Sequence, residues 1–215
     1  TTGVASTRAT WRSAMATVRV DVAIFAKAPV PGYAKTRLIP ALGADGAAAL
    51  HAAMIQRTVE TACAANLARI TLWCAPDPSH ALFRDLAIKH GVALRRQFPG
   101  GLGARMLAVF RGQPAHRPLL LIGTDGPALR ADHLLACARS LHDDDDASFL
   151  PTEDGGYLLI GLRRAVPSLF AGVTWGTSSV MPQTRRRLRR AGLRWSEPDT
   201  LWDVDTPDDL KRLSA

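Results

Sequence analysis

A three-layer α/β domain, a mostly parallel sheet with helices on both faces, is what this 215-residue sequence predicts. Three observations carry the prediction. Short β-branched or wholly apolar runs alternate with segments of helical periodicity. Pro, Gly and Asp punctuate the junctions. The composition, 47% hydrophobic and 21% charged, is that of a globular chain able to bury a core without metal or disulfide support.

The first strand is read in VRVDVAIF (18–25), whose β-branched residues become apolar toward the end. A loop rich in Pro and Gly follows from Lys27 to Pro40. Gly43 to Ala65 is Ala-rich, and Leu50, Met54, Ile55 and Val59 share one helical face. ARITLWCA (68–75) is a strand, SHALFRDLAIKH (79–90) a helix and VALRRQF (92–98) a strand. A helix from Leu102 to Phe110, the strand PLLLIG (118–123) and a helix from Ala131 to Leu141 continue the alternation. SFLP and YLLIGL are separated only by TEDGG, so these two strands are antiparallel or meet at a sheet junction. A helix from Ser178 to Ala191, the short strand LRWS and a helix from Pro207 to Leu213 complete the reading. Residues 18–215 are expected to form one domain and residues 1–17 a disordered tail, with Met15 an alternative start.

The formal charge is +8, almost all of it from arginine, since Lys27, Lys35, Lys89 and Lys211 are the four lysines. That excess suits anionic partners such as nucleotides and phosphorylated metabolites. Cys63, Cys74 and Cys137 are odd in number and lack metal or redox spacing, so they read as buried free thiols in a cytoplasmic protein. No uninterrupted apolar run approaches a membrane span, and the opening segment has no apolar core of a secretory signal. No histidine pair at i, i+4 and no Gly-x-Ser-x-Gly elbow is present, which excludes the common metalloprotease and serine-hydrolase patterns.

Four segments could carry chemistry. In KAPVPGYAKTR (27–37), Pro29 and Pro31 stiffen a loop, Gly32 permits a turn, and Lys27, Lys35 and Arg37 bring three cations toward one anion; a plain basic surface turn explains the same spacing. LLLIGTDGP (119–127) ends a buried strand on Asp125, at the sheet edge where α/β proteins bind ligands, and a carboxylate there suits Mg²⁺ or Mn²⁺. In LWDVDTPDDL (201–210), Asp203 and Asp205 fall on one side of an extended segment as a metal-ligand pair, while Thr206, Pro207, Asp208 and Asp209 are helix-start chemistry. In EDGGY (153–157), Asp154, Gly155 and Gly156 are either a hairpin turn or a close approach to a sugar or phosphate. Trp175, opening WGTSS with Thr177 or Ser178 as helix cap, stacks on a base or sugar or packs in the core. The run Arg185–Arg190 spreads around a helix, and the aspartates 143–146 read as a solvated loop.

Taken in order, KAPVPGYAKTRL, GLGARM, IGTDGP, EDGGYLLIGL, WGT and DVDTPDDL resemble a bacterial family of GT-A-like transferases, often labelled glycosyltransferases of arsenosugar biosynthesis. The likeness spans about Val20 to Leu213. It implies the nucleotide-diphospho-sugar transferase fold, shared more distantly with 2-phospholactate and molybdenum-cofactor guanylyltransferases. It further implies that Lys27, Gly32, Lys35, Arg37 and Arg105 surround nucleotide phosphates, with Lys35, Arg37 and Asp125 catalytic. Asp125, Asp203 and Asp205 would hold Mg²⁺ or Mn²⁺, and Asp154, Gly155, Gly156 and Trp175 would line an acceptor pocket. The family often reads Gly-Asp-Leu-Gly where this chain has Gly100-Gly101-Leu102-Gly103, and Thr-Asp-Cys-Pro where it has Thr124-Asp125-Gly126-Pro127, so an acceptor contact at position 101 is missing.

The expected activity is therefore metal-dependent transfer from a nucleotide-activated substrate to a small acceptor, with glycosyl transfer first. Nucleotidyl transfer to a phosphorylated or carboxylated acceptor is the alternative, and a non-catalytic nucleic-acid-binding protein the rival from another class. Nucleic acid is not the partner the sequence favours, and nothing in it sets the oligomeric state.

Overall fold

The structure is a computed structural model and describes residues 19–114 and 116–213. The tail expected at residues 1–17 lies outside them. Among the described residues, seven strands form one mixed sheet in the order β3-β2-β1-β4-β6-β5-β7. The strands are β1 (Asp21–Lys27), β2 (Ile70–Ala75), β3 (Ala93–Arg96), β4 (Leu119–Ile122), β5 (Ala147–Pro151), β6 (Tyr157–Leu162) and β7 (Trp195–Ser196). The helices are α1 (Ile39–Ala64), α2 (Ala81–His90), α3 (Leu102–Arg111), α4 (Ala131–His142), α5 (Val180–Arg190) and α6 (Pro207–Leu213).

β1, β2, β3 and β4 run parallel, joined by helical crossovers, and β6 turns the direction by pairing antiparallel with both β4 and β5. The close spacing of the SFLP and YLLIGL segments is thus a true antiparallel pair, with Leu150 opposite Leu159. Burial on both faces explains why β4 reads as a continuous apolar run: Leu120 and Ile122 enter one core with Ile55, Val59 and Phe83, and Leu119 and Leu121 enter the other with Met106, Phe149 and Leu188.

α1 is long and apolar enough in composition to cross a membrane, but it breaks at Gly43 (φ 71°, ψ 169°), and Ile55, Val59 and Ala62 pack into the sheet core. The last helix has a cap stronger than its spacing suggested. Asp209 Oδ2 accepts from the backbone N–H groups of Asp205 and Thr206 and from the Thr206 hydroxyl, the reciprocal form of a helix start. Arg212 pairs with both carboxylate oxygens of Glu153 and lies 4.4 Å over the Trp202 ring, tying α6 to the β5–β6 turn.

Two expectations are corrected. The acidic loop is not simply solvated, because Asp144 pairs with Arg163 at 3.2 Å and Asp146 accepts from the Arg194 backbone at 3.0 Å. α5 begins at Val180, not Ser178, and Ser179 caps it without a side-chain bond. Thr177 instead bonds the Thr174 carbonyl and the Ser179 hydroxyl. The arginines of α5 are largely engaged within the fold. Arg185 bonds Glu197, Arg187 bonds the carbonyls of Ser168, Ala171 and Gly172, and Arg189 lies over Trp195.

Candidate functional site

A cavity of about 960 Å³ opens beyond the carboxyl ends of β1, β2 and β4 and the amino end of β6. This is where parallel strands stop and their loops diverge, the ligand edge of α/β sheets. Asp125 stands two residues past Gly123, whose N–H donates to the Leu158 carbonyl and so extends the β4–β6 pairing to the rim. Gly126 keeps the turn close to β6, since a Cβ there would lie 2.2 Å from Leu158 Cδ2.

The C-terminal segment reaches the same point across the sheet edge. The Val204 N–H donates to the Asp125 carbonyl at 3.0 Å, and the two aspartates flanking Val204 thereby arrive beside Asp125. Lys35 locks the arrangement. Its ammonium lies 2.8 Å from Asp125 Oδ1, 2.8 Å from Asp205 Oδ1 and 2.6 Å from the Val204 carbonyl, with only 7% of the side chain exposed. The Asp125 contact is an ion pair off the axis of a directed hydrogen bond, so that carboxylate oxygen keeps bonding capacity. Burial alone would lower the Lys35 pKa, but Asp125 and Asp205 together outweigh it and hold the group charged, above its ordinary value.

The structure does not bring Lys27, Lys35 and Arg37 onto one point. Lys35 takes a left-handed backbone (φ 47°, ψ 45°) before a 3₁₀ turn, which sends its side chain inward. Arg37 is 71% exposed, 3.9 Å from Asp205 and outside the cavity lining. Lys27 lines the cavity and donates to the Tyr33 carbonyl. Gly32 sits in the exposed turn at φ 82° with nothing near its open side.

Arg105 lines the cavity from α3. Its Nη1 donates to Gln97 Oε1 at 2.7 Å and its buried Nε has no partner. Gln97 is itself oriented by donating to the carbonyls of Trp73 and Ala26 at the ends of β2 and β1. Gly101 caps α3 with open space around it, so nothing in the fold excludes a side chain at that position.

On the far side, Asp154 Oδ1 accepts from Thr152 Oγ1 at 2.5 Å and from the Gly156 N–H at 2.9 Å. Gly155 is required by packing, because a Cβ would lie 2.2 Å from the Ser178 carbonyl oxygen. Trp175 lines the cavity with Asp154, Gly156 and Asp203.

Gln97 and His51 line the cavity and were not anticipated. Gln97 lies one residue past β3, which is shorter than the segment 92–98 read as a strand, and nothing local marks it as a cavity residue. His51 is buried on the α1 stripe shared with Ile55 and Val59, and that polar break at i, i+4, i+8 spacing was its available signal. Its Nε2–H donates to the Lys27 carbonyl at 3.0 Å, which leaves Nδ1 a buried acceptor without a partner. Burial, helped by Lys35 and Lys27, pushes its pKa down and keeps it neutral, against the opposing pull of Asp125.

Four carboxylates, Asp125, Asp154, Asp203 and Asp205, thus share one rim. The Asp203 pKa rises to about 6, first through burial and then through Asp154, Asp205 and Asp125. Among the described residues no three His, Cys, Asp or Glu side chains form a ready metal cage. Mg²⁺ and Mn²⁺ need none at a phosphate site, since one or two protein carboxylates suffice and phosphate oxygens and water complete the shell. The residual negative charge around Asp203 fits a divalent cation.

Fold and rim together define the class, a nucleotide-diphospho-sugar transferase fold. A protein of Desulfovibrio desulfuricans G20 provisionally described as a nucleotide-diphospho-sugar transferase superposes with a TM-score of 0.80 at 29% identity, covering 90% of this chain and 85% of that one. The 4-diphosphocytidyl-2C-methyl-D-erythritol synthase of Anaerococcus prevotii DSM 20548 shares the fold at TM-score 0.60 and 10% identity, over 92% and 97% of the chains. So does glucosyl-3-phosphoglycerate synthase of Mycobacterium tuberculosis, whose structure holds Mn²⁺, uridine diphosphate and glucosyl-3-phosphoglycerate, at TM-score 0.54 and 10% identity over 92% and 75%. No curated protein matches the chain. Within the class, the chain belongs to the DUF2064 family of uncharacterised proteins conserved in bacteria, whose pattern matches residues 58–177.

Proposed function

We propose that the protein is a transferase acting on a nucleotide-activated substrate, and that it moves a glycosyl group from a nucleotide sugar to a small acceptor with Mg²⁺ or Mn²⁺ as cofactor. The observation that carries this reading is the rim itself: Asp125, Asp203 and Asp205 stand at the carboxyl edge of β4, with the cations Lys27 and Arg105 on the same cavity. The likeness to the Desulfovibrio protein and to the Mn²⁺- and uridine-diphosphate-bound Mycobacterium synthase supports it.

Asp125 and Asp205 are the candidate metal ligands, with Asp203 beside them, and a divalent cation bound there supplies charge neutralisation for a diphosphate. Lys35 holds the two carboxylates at fixed separation, so the site is organised before ligand arrives. Lys27 and Arg105 bind and orient phosphate oxygens. In the transfer, the acceptor oxygen or nitrogen bonds to the sugar carbon as the bond from that carbon to the phosphate oxygen breaks. The nucleoside diphosphate leaves with the electron pair, and the acceptor proton passes to a rim carboxylate or water.

Nucleotidyl transfer is the second reading, supported by the cytidylyltransferases among proteins of this fold. The small product separates them. With a panel of nucleotide sugars and nucleoside triphosphates in Mn²⁺, release of nucleoside diphosphate is the expected result, pyrophosphate moves the assignment to the second reading, and neither product nor nucleotide binding overturns both.

A further inference from the structure

The cavity has two electrostatically distinct halves, and the strand order sets the boundary. Beyond β1, β2 and β3 the lining carries Lys27 and Arg105, with Gln97 and His51 between them. Beyond β4, β6 and β5 it carries Asp125, Asp154 and Asp203, and among the described residues no lysine or arginine lines that half.

Aromatic and apolar surface faces these carboxylates. Tyr157 packs edge-on against Phe149 at 5.5 Å and against Trp175 at 6.2 Å. Trp175 is seated directly on Gly103 of α3, where any Cβ would lie 2.7 Å from its Nε1, so the absence of a side chain at 103 holds the indole in place. Leu158 and Val180 complete the wall.

Building on the nucleotide-sugar reading, we infer that this second half takes an acceptor that is uncharged or cationic, an alcohol or amine on an aromatic or otherwise apolar body, and refuses phosphorylated or carboxylated molecules. The donor's phosphates engage the two lining cations. With Asp125, Asp203 and Asp205 committed to Lys35 and the divalent cation, an anionic acceptor would meet the Asp154 carboxylate with no lysine or arginine among the described residues lining that half to pair with, and the like charge opposes it. A hydroxyl or ammonium donates to that carboxylate instead. Asp154 is suited to receive it, since one of its oxygens is held by Thr152 and Gly156. The indole and phenol faces add area for an apolar body and attract a cation. The sequence alone left a phosphorylated or carboxylated acceptor open, and the distribution of charge argues against it.

Three probes share a 4-hydroxyphenyl body and differ in the group that ends its short side chain: tyrosol is a neutral alcohol, tyramine a cationic amine and 4-hydroxyphenylacetate an anionic carboxylate. Their dissociation constants are measured by saturation-transfer difference NMR on the full chain, with diamagnetic Mg²⁺ and whichever nucleotide sugar gives the largest thermal shift. Tyrosol and tyramine should bind at least about tenfold tighter than the anion. Trp175→Ala should weaken both while leaving the nucleotide thermal shift intact. Asp154→Asn, which nearly preserves shape, should narrow the gap to the anion even if Trp175→Ala folds poorly. An anion bound as well as the other two overturns the inference, as does failure of both tyrosol and tyramine to bind a protein that binds nucleotide. A parent protein that binds no nucleotide brings down the donor reading instead, a distinguishable result.

Discussion

Asp203 offers the sharpest stability test of the crowded rim. Its pKa rises from 3.8 to about 6 because burial and three neighbouring carboxylates oppose its ionisation. The folded carboxyl therefore holds its proton more tightly than the unfolded one, so stability falls as pH rises through about 4 to 6, and the penalty is fully present above that window. Two pKa units set a ceiling of about 3 kcal/mol, which solvent screening of a half-buried group reduces to about 1–2 kcal/mol. Asp203→Asn removes the charge and nearly keeps the shape. Thermal denaturation in EDTA should place the variant about 2–8 °C above the parent at pH 7, and level with it below pH 4. In Mn²⁺ and nucleotide the order should narrow or reverse, because only the parent gains a counter-ion. A variant less stable than the parent at pH 7 in EDTA, or a difference independent of pH, would refute the reasoning.

Removing the resident cation should have the opposite sign. Lys35→Met strands Asp125 and Asp205 together and should cost about 2–3 kcal/mol in urea denaturation, below the fully buried value because both carboxylates are about 40% exposed. Lys35→Gly should recover about 1 kcal/mol of that loss by relieving the left-handed backbone at φ 47°. The Lys35 contribution is complete below about pH 10.5 and fades only as pH rises through its elevated folded pKa. Gly103→Ala should cost about 1–3 kcal/mol by overpacking and shift the fluorescence of Trp175. Arg105→Ala should lose about 1.5–3 kcal/mol of nucleotide binding by calorimetry, and Arg37→Ala, mostly exposed and off the cavity, much less.

What the sequence made legible follows from how local each signal is. β4 and Asp125 were readable because a doubly buried strand is a continuous apolar run and its last polar residue marks the sheet edge. The start of α6 at Pro207 was readable because Thr206, Pro207 and Asp209 form a self-contained start signal. The joining of Val204 to Asp125 was not, since one backbone hydrogen bond between segments far apart in sequence leaves no pattern in either. Lys35 and Arg37 were grouped because they are two residues apart, and both do reach Asp205, yet the left-handed Lys35 turns inward to bridge it to Asp125 while Arg37, on the 3₁₀ turn, stays exposed and off the cavity. The polarity of the cavity was equally hidden, because Arg105, Gln97 and the rim aspartates come from five separate segments and meet only through the strand order.

The central claim is that Asp125 organises a metal-dependent nucleotide site, and one comparison tests it most directly. Melting temperatures of the parent, Asp125→Asn and the control Asp144→Asn are measured with a nucleotide sugar, each with Mn²⁺ and with EDTA. The account predicts a Mn²⁺-dependent nucleotide shift in the parent and in Asp144→Asn, whose carboxylate lies on a distant exposed loop, and none in a folded Asp125→Asn. An Asp125→Asn protein that keeps the full Mn²⁺-dependent shift would contradict it.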